Sequence, residues 1–449
     1  MLRLRCGFVI CVCVCRLAGF ALGGEAAAPP NLDDVAKENA RLKQEVQDLR
    51  KLLEDHLKPK DQPGLPPADE KLPPDKFPIL TSLKMELYGY IKVDASYDTA
   101  HVRTGNYAIY VDSEQTNKHD NEFNLTANET RLGLNITGPQ MGDAVASGKI
   151  EFDFYSAAPE NKSIPMLRHA YAKVDWSDYE LSILAGQTSD VISPLNMPTL
   201  NYTVGWESGN IGYRHPQVRV TQGVEVNESS KLVFEGAVSR TIGTGPAAGT
   251  GSKESGEDAG FPTIQGRTSL RFPLLTAKPT IVGVSGHWGQ EEYDTNAMGS
   301  THRITSWSGN VDLTMPVTPL LGVKGECYKG SDLATFMGGI GQGINARMGR
   351  GIDAQGAWIA ASVTPPGPWE FNVGAGYESD EKADLTGYAA AQADVDALRT
   401  ENNSVFANAI YNFSKAVSVG LEVSRWCTDY YALEPGEAYR VQTAFRYKF

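Results

Sequence analysis

Long apolar runs are missing from this sequence. Nowhere do about 18 apolar residues follow one another, so no conventional membrane-spanning helix is available. A concentrated block of positive charge is missing too: the 449 residues carry a net charge of −13 at pH 7. With no basic stripe, nucleic acid is not expected as a partner. Thiols are scarce. Of six cysteines, four lie within the first fifteen residues, leaving Cys327 and Cys427, too few for a disulfide framework or a thiolate metal cage. The seven histidines are dispersed and form no His-Glu-x-x-His pair. No Gly-x-Ser-x-Gly elbow occurs. The Gly-rich run Gly338–Gly343 is not followed by Lys-Ser or Lys-Thr, so it is expected to be a flexible loop and not a phosphate cradle. Neither an enzyme active site nor a cofactor site is expected. A mean hydropathy of −0.30 still leaves a membrane protein open, because a strand that alternates between lipid and water never scores as hydrophobic in a window.

What is present changes character three times along the chain. Met1–Leu22 reads as an export signal: Arg3 and Arg5, then the apolar run Cys6–Cys15, then small residues at Gly23–Ala28. Residues 1–24 are therefore expected to be a signal peptide. Residues 31–57 carry heptads, with Leu32, Asn39, Val46 and Leu53 on one seam position and Val35, Leu42, Leu49 and His56 on the other. Apolar side chains at that spacing predict a coiled coil, and Asn39 at the seam would fix its register. The Pro-rich stretch 58–82 predicts an extended spacer.

From residue 83 the period becomes two and remains so to Phe449. Met85, Leu87, Ile91, Val93 and Tyr97 share one face, while Glu86, Lys92, Asp94 and Ser96 share the other. The same contrast recurs in Ile150 and Phe152 against Lys149, Glu151 and Asp153, and in Val417, Val419, Leu421 and Val423 against Ser418, Glu422 and Ser424. Breaks between these segments are alternately short (Ser177-Asp178, Gly223–Ser230, Ser414-Lys415) and long (99–122, 188–215, 330–352, with 427–438 the eighth). Short turns on one rim, long loops on the other and an even strand number describe a closed membrane barrel. The fold class expected is all-β, a transmembrane antiparallel β-barrel of about sixteen strands, preceded by a short α-helical coiled coil. Cys327 and Cys427 fall on the lipid side of this pattern. Apolar parity switches between Phe123, Leu125, Ala127 and Leu132, Leu134, Ile136, so a β-bulge is expected near Asn128–Thr130. The final strand, with Tyr439, Val441, Phe445, Tyr447 and Phe449 on one face, is expected to pair with the first, since no backbone group can face lipid unpaired.

Several motifs resemble the DcaP-like porin family: Gly89-Tyr90-Ile91-Lys92-Val93-Asp94, Thr130-Arg131-Leu132-Gly133-Leu134, Leu167-Arg168-His169-Ala170-Tyr171, and Leu184-Ala185-Gly186-Gln187-Thr188 followed by Asp190, Pro194, Pro198 and His215-Pro216-Gln217-Val218-Arg219. The amino-terminal heptads are also a family feature. Ser189 departs from the aromatic often found after Gly-Gln-Thr. The resemblance implies a homotrimeric outer-membrane channel with its coiled coil in the periplasm. It implies passage of small organic anions such as dicarboxylates, and a third loop folded into the lumen.

That loop, 188–215, contains Asp190, Glu207 and Arg214. By parity, the inward basic residues are Lys92, Arg131, Lys149, Arg219, Arg267, Arg271 and Lys324. Cationic groups in a narrow aqueous channel lower the energy of a passing anion. The inward acids Asp94, Glu151, Asp153, Glu235, Asp312, Glu326 and Glu370 oppose them. An outer-membrane lipid hydrolase and a soluble secreted sheet protein are the alternative readings.

Overall fold

The computed structural model describes residues 83–116, 120–155, 163–243, 255–294 and 301–449, together with Gln44 and Gln47. The export signal, the heptad region and the Pro-rich spacer fall outside the described residues, except that Gln44 and Gln47 are helical.

Sixteen strands close into one antiparallel barrel. They are β1 (Lys84–Asp98), β2 in two arms (Glu122–Thr126 and Arg131–Met141), β3 (Ala144–Asp153), β4 (Met166–Trp176), β5 (Leu181–Ser189), β6 (Arg214–Asn227), β7 (Ser230–Ser239) and β8 (Thr263–Pro273). The second half comprises β9 (Pro279–Asp294), β10 (Thr301–Pro316), β11 (Leu321–Ser331), β12 (Asp353–Val363), β13 (Trp369–Asp380), β14 (Arg399–Asn412), β15 (Val417–Tyr430) and β16 (Gly436–Lys448). Each strand pairs with its sequence neighbours, and β16 returns to β1 with Tyr90 opposite Lys448 and Asp98 opposite Arg440. The ring has no free edge.

The wall is apolar outside and polar inside, the reverse of a soluble protein. Leu87, Ile91, Val284, Ile359, Val373 and Leu421 stand exposed on the exterior, whereas Lys92, Asp94, Glu151, Asn310, Asp312, Glu326 and Glu422 are buried inside. Each exposed apolar side chain would cost about 25 cal/mol per Å² against water. Such a wall is stable only with hydrocarbon around it, so the barrel spans a membrane through its strands. Cys327 is exposed on this outer face, as its parity predicts. The soluble-sheet alternative is thereby set aside.

Of five irregularities in the ladder among the described residues, two adjoin Arg131 and Arg168. Opposite β1, the step from Asp94 to Tyr90 is matched by Thr126 to Arg131, one residue more, so 127–130 contain the expected bulge. A second bulge was not foreseen. In β4, Glu151 faces His169 while Phe152 faces Leu167, leaving Arg168 as the extra residue.

Strands also run further than the periodicity suggested. β9 and β10 span sixteen residues each, beyond the roughly 9–11 needed to cross hydrocarbon. The eighth long connection shrinks from 427–438 to the five residues 431–435. The turn assigned to Gly223–Ser230 likewise shrinks to Glu228-Ser229, because Gly223 pairs with Val233 within the ladder. Charged residues such as Glu291 and Glu292 ended the apolar alternation, but above the lipid a strand needs only its backbone partners.

Candidate functional site

The third long loop, 190–213, does not stand above the rim. It folds into the barrel and lies against the inner face of β11–β16. Its backbone is held by carboxylates of that wall: Leu195 N donates to Glu326 Oε1 at 2.9 Å, Leu200 N to Glu422 Oε2 at 2.6 Å and Gly209 N to Glu378 Oε2 at 3.1 Å. Thr199 Oγ1 donates to the second oxygen of Glu422 at 2.6 Å. Asn402 and Asn408 donate to the carbonyls of Glu207 and Pro198 at 2.6 and 2.8 Å. Gly209 has φ +97°, and a Cβ there would collide with the carbonyl oxygen of Ala357, so only glycine lets the loop lie this close. Beneath the loop, Met197 packs with Trp358, Ala360 and Phe406, and Ile192 and Ile211 pack with Tyr328, Leu333 and Phe336.

The Gly-rich run Gly338–Gly343 is part of this packing and is not a free loop. Ile340 N donates to Glu378 Oε1 at 3.0 Å, opposite the bond from Gly209. The run wraps a carboxylate of the chain itself.

On the other side of the loop, a cavity of about 210 Å³ remains between its inner edge and the wall of β1–β6. Arg131, Arg168, Asp190, Tyr202, Trp206 and Arg214 are among its lining residues. Arg168 donates to Glu151 at 3.2 Å, to Asp153 at 2.5 Å and to the Tyr202 hydroxyl at 3.1 Å. Arg131 lies 3.6 Å from Glu151 and 3.5 Å from Asp153, and Lys149 lies 3.5 Å from Glu151. Three cations therefore share two carboxylates on one wall. Tyr88 completes the cluster with a 2.6 Å bond to Glu151.

The basic residues expected to face the lumen divide by environment. Arg131 and Lys149 keep 21% and 26% of their side chains exposed. Lys92 is buried and tied to Asp94, Glu129 and the Leu200 carbonyl. Arg267 is clamped by both oxygens of Asp312, at 2.9 and 2.7 Å, and by Glu235. These two side chains brace the wall and the loop. Arg219 bonds Gln217 and the Ser189 carbonyl at the root of the loop. Arg271 and Lys324 sit in separate crevices toward the short-turn rim, Arg271 with Asp175 and Lys231, Lys324 with Thr314 and Ser362.

Within the loop, Asp190 and Glu207 differ sharply. Burial alone would raise the Asp190 carboxyl, but His215 at 2.8 Å, Gln265 at 2.9 Å and the Tyr213 N–H at 2.7 Å hold it below the ordinary range. Glu207 lacks such donors. Burial lifts it to about 7, with Arg399 opposing and Glu378 adding to the rise. An undocked loop would titrate near the ordinary carboxyl value, so the docked form binds the extra proton between that value and about 7. Docking is therefore strengthened as the pH falls through this window and weakened above it. Open-channel current should be quieter at pH 5.5 than at pH 8, and Glu207→Gln should be quiet at both. Noise that rises on acidification, or that ignores the substitution, would refute this assignment.

Arg168, Tyr202, Trp206 and Tyr213 were not singled out as site residues in the sequence. The one available signal was the Leu167-Arg168-His169 triplet, in which two polar residues adjoin and break strict alternation.

No protein-family model matches this sequence, and no curated protein matches it. Solved structures do. The outer membrane channel DcaP of Acinetobacter baumannii superposes with a TM-score of 0.62 at 18% identity, covering 82% of this chain and 98% of that one. The chain has the porin fold. An anion-selective porin from Comamonas acidovorans aligns at 0.52 and 12% identity over 82% of this chain and 100% of its own, and OmpT of Vibrio cholerae at 0.51 and 11% over 83% and 99%. At these identities the likeness is one of architecture. The porin fold agrees with the DcaP-like pattern of sixteen strands, and it accounts for an apolar exterior around a polar lumen.

Proposed function

We propose that the protein is a porin of the bacterial outer membrane, a passive diffusion channel for small hydrophilic solutes with a preference for small organic anions, dicarboxylates among them. The observation that carries this reading is the charge at the narrowed level. Arg131, Lys149 and Arg168 outnumber Glu151 and Asp153 on one wall. Glu129 and Asp190 on the same lining are taken up by Lys92 and by His215 and Gln265, and Arg214 borders the gap from the start of β6. The loop meanwhile covers Glu326, Glu378 and Glu422 on the opposite wall. Inside a narrow lumen, such an imbalance lowers the barrier for anions and raises it for cations. The relatives in fold support the reading, one being described as an outer membrane channel and another as an anion-selective porin.

A homotrimer fits the outer surface. Ala146, Gly148, Ala170, Ala172 and Ala185 make a shallow apolar hollow beside β3–β5, flanked by Ile136 and Ile150. Small side chains there permit close approach of a second wall. Residues 31–57 would add a periplasmic coiled coil, joined through the spacer 58–82 and following a signal peptide at 1–24.

The test is the reversal potential across a planar bilayer under a potassium chloride gradient. Chloride should be favoured over potassium. Arg131→Ala combined with Arg168→Ala should lower the permeability ratio by roughly twofold or more, since Glu151 and Asp153 are then left uncompensated. A potassium preference in the unaltered channel would overturn the anion reading.

A further inference from the structure

One charge in the cavity has no partner. Arg214 is only 5% exposed, and its side chain makes no hydrogen bond or ion pair among the described residues. Its Nε and Nη2 are closed off from water. It is held instead by rings, its guanidinium lying 4.3 Å from the centroid of Tyr213 and 5.8 Å from that of Trp206. A buried cation without an acceptor is costly, and the cost is relieved when an anion occupies the neighbouring space.

The rings around it are continuous. Tyr213 meets Trp206 at 5.6 Å, Trp206 meets Tyr202 at 6.0 Å, and Tyr202 meets Tyr155 at 4.0 Å and Tyr107 at 5.5 Å. Tyr202, Trp206 and Tyr213 line the cavity together with Arg214. Such a surface favours a flat apolar body with a charged tip. The other two guanidinium groups at the cavity, Arg131 and Arg168, already serve Glu151 and Asp153. A second carboxylate on the solute would therefore meet no free cation, and it would lie near Glu129 and Asp190 on the lining. The volume of about 210 Å³ falls below the roughly 300–1,000 Å³ of sites for larger ligands, which restricts the occupant to a single ring.

We propose that this cavity is a recognition site for aromatic monocarboxylates, with the carboxylate on Arg214 and the ring on Tyr202 and Tyr213. The proposal rests on the anion-channel reading and narrows it. A solute of this class dwells at the constriction, whereas an aliphatic dicarboxylate passes without dwelling.

The experiment uses the full-length protein in planar bilayers, with benzoate, cyclohexanecarboxylate and succinate added in turn while chloride current is recorded. Benzoate is expected to interrupt the current at concentrations at least about tenfold lower than either of the others, a ratio within reach of one buried charge and one ring contact. Arg214→Gln should remove the interruptions, and Tyr202→Leu should weaken them about tenfold. The open-channel current reports that each variant has inserted. Should one variant fail to insert, the comparison of three solutes on the unaltered channel still decides. Equal block by succinate or by cyclohexanecarboxylate would overturn the ring site and leave the anion reading intact. A potassium preference with benzoate block retained would overturn the anion reading and leave the ring site standing.

Discussion

Excision of Pro194–Ile211 is expected to raise the unit conductance by roughly threefold or more and to turn the channel toward cations. The loop ends permit the deletion, since Gly212 already lies against the carbonyls of Ile192 and Ser193. Removing the segment would widen the lumen where the loop now fills it. It would also uncover Glu326, Glu378 and Glu422, whose oxygens now accept from loop N–H groups. Three uncovered carboxylates would outweigh the surplus of one positive charge on the opposite wall. The barrel itself should persist, because its ladder is closed independently of the loop. Conductance and reversal potential measured on one preparation suffice. Unchanged conductance would mean that the narrowest passage lies elsewhere, and a retained chloride preference would mean that the covered acids do not matter.

The second large effect concerns the seam of the barrel. Arg440 on β16 is 1% exposed and faces Asp98 of β1, which is fully buried. Its Nη1 lies 3.1 and 3.3 Å from the two Asp98 oxygens, and its Nη2 donates to Ser96 and to the Asn106 carbonyl. One side chain thus joins the last strand, the first strand and the first long loop. Arg440→Leu leaves Asp98 buried without a counter-charge, a change that costs about 3–5 kcal/mol. The temperature at which the folded form loses its characteristic gel mobility should fall markedly. Adding Asp98→Leu should recover part of the loss, because a buried pair replaced on both sides is far less harmful than a broken one. If the double variant were worse than the single, the pair would not be the source of the effect.

Why was the barrel legible and the site only partly so? Alternation survives in sequence because each residue of a strand meets either hydrocarbon or water, and the two demand opposite chemistry. Val419, Leu421 and Val423 against Ser418, Glu422 and Ser424 could be read without neighbours. The parity switch around 128–130 revealed its bulge for the same reason, since apolar residues flank it on both sides. The bulge at Arg168 left a fainter trace, because the phase change is carried only by Leu167 before it and by the small side chains of Ala170 and Ala172 after it. Glu326 and Glu422 were recognisable as inward acids. Their partners were not, because Leu195 N and Leu200 N lie 131 and 222 residues away in the chain. A backbone donor carries no side-chain signature, so an inward carboxylate reads as open charge when it is in fact a peg for a loop. Lys92 and Arg267 were ambiguous on the same grounds, and only their surroundings separate bracing from lining. The aromatic row at Tyr202, Trp206 and Tyr213 lies in irregular backbone, where neither period two nor period 3.6 marks a face.

The ring of strands is joined at Gly89 and Phe449, which exchange backbone hydrogen bonds of 3.2 and 3.1 Å. Without the ladder that this junction extends, β1 and β16 would each present a row of unmet donors and acceptors, which lipid does not tolerate. Shortening the last strand from its end removes rungs one at a time from the nine that run between Tyr90–Lys448 and Asp98–Arg440, and the closure weakens with each.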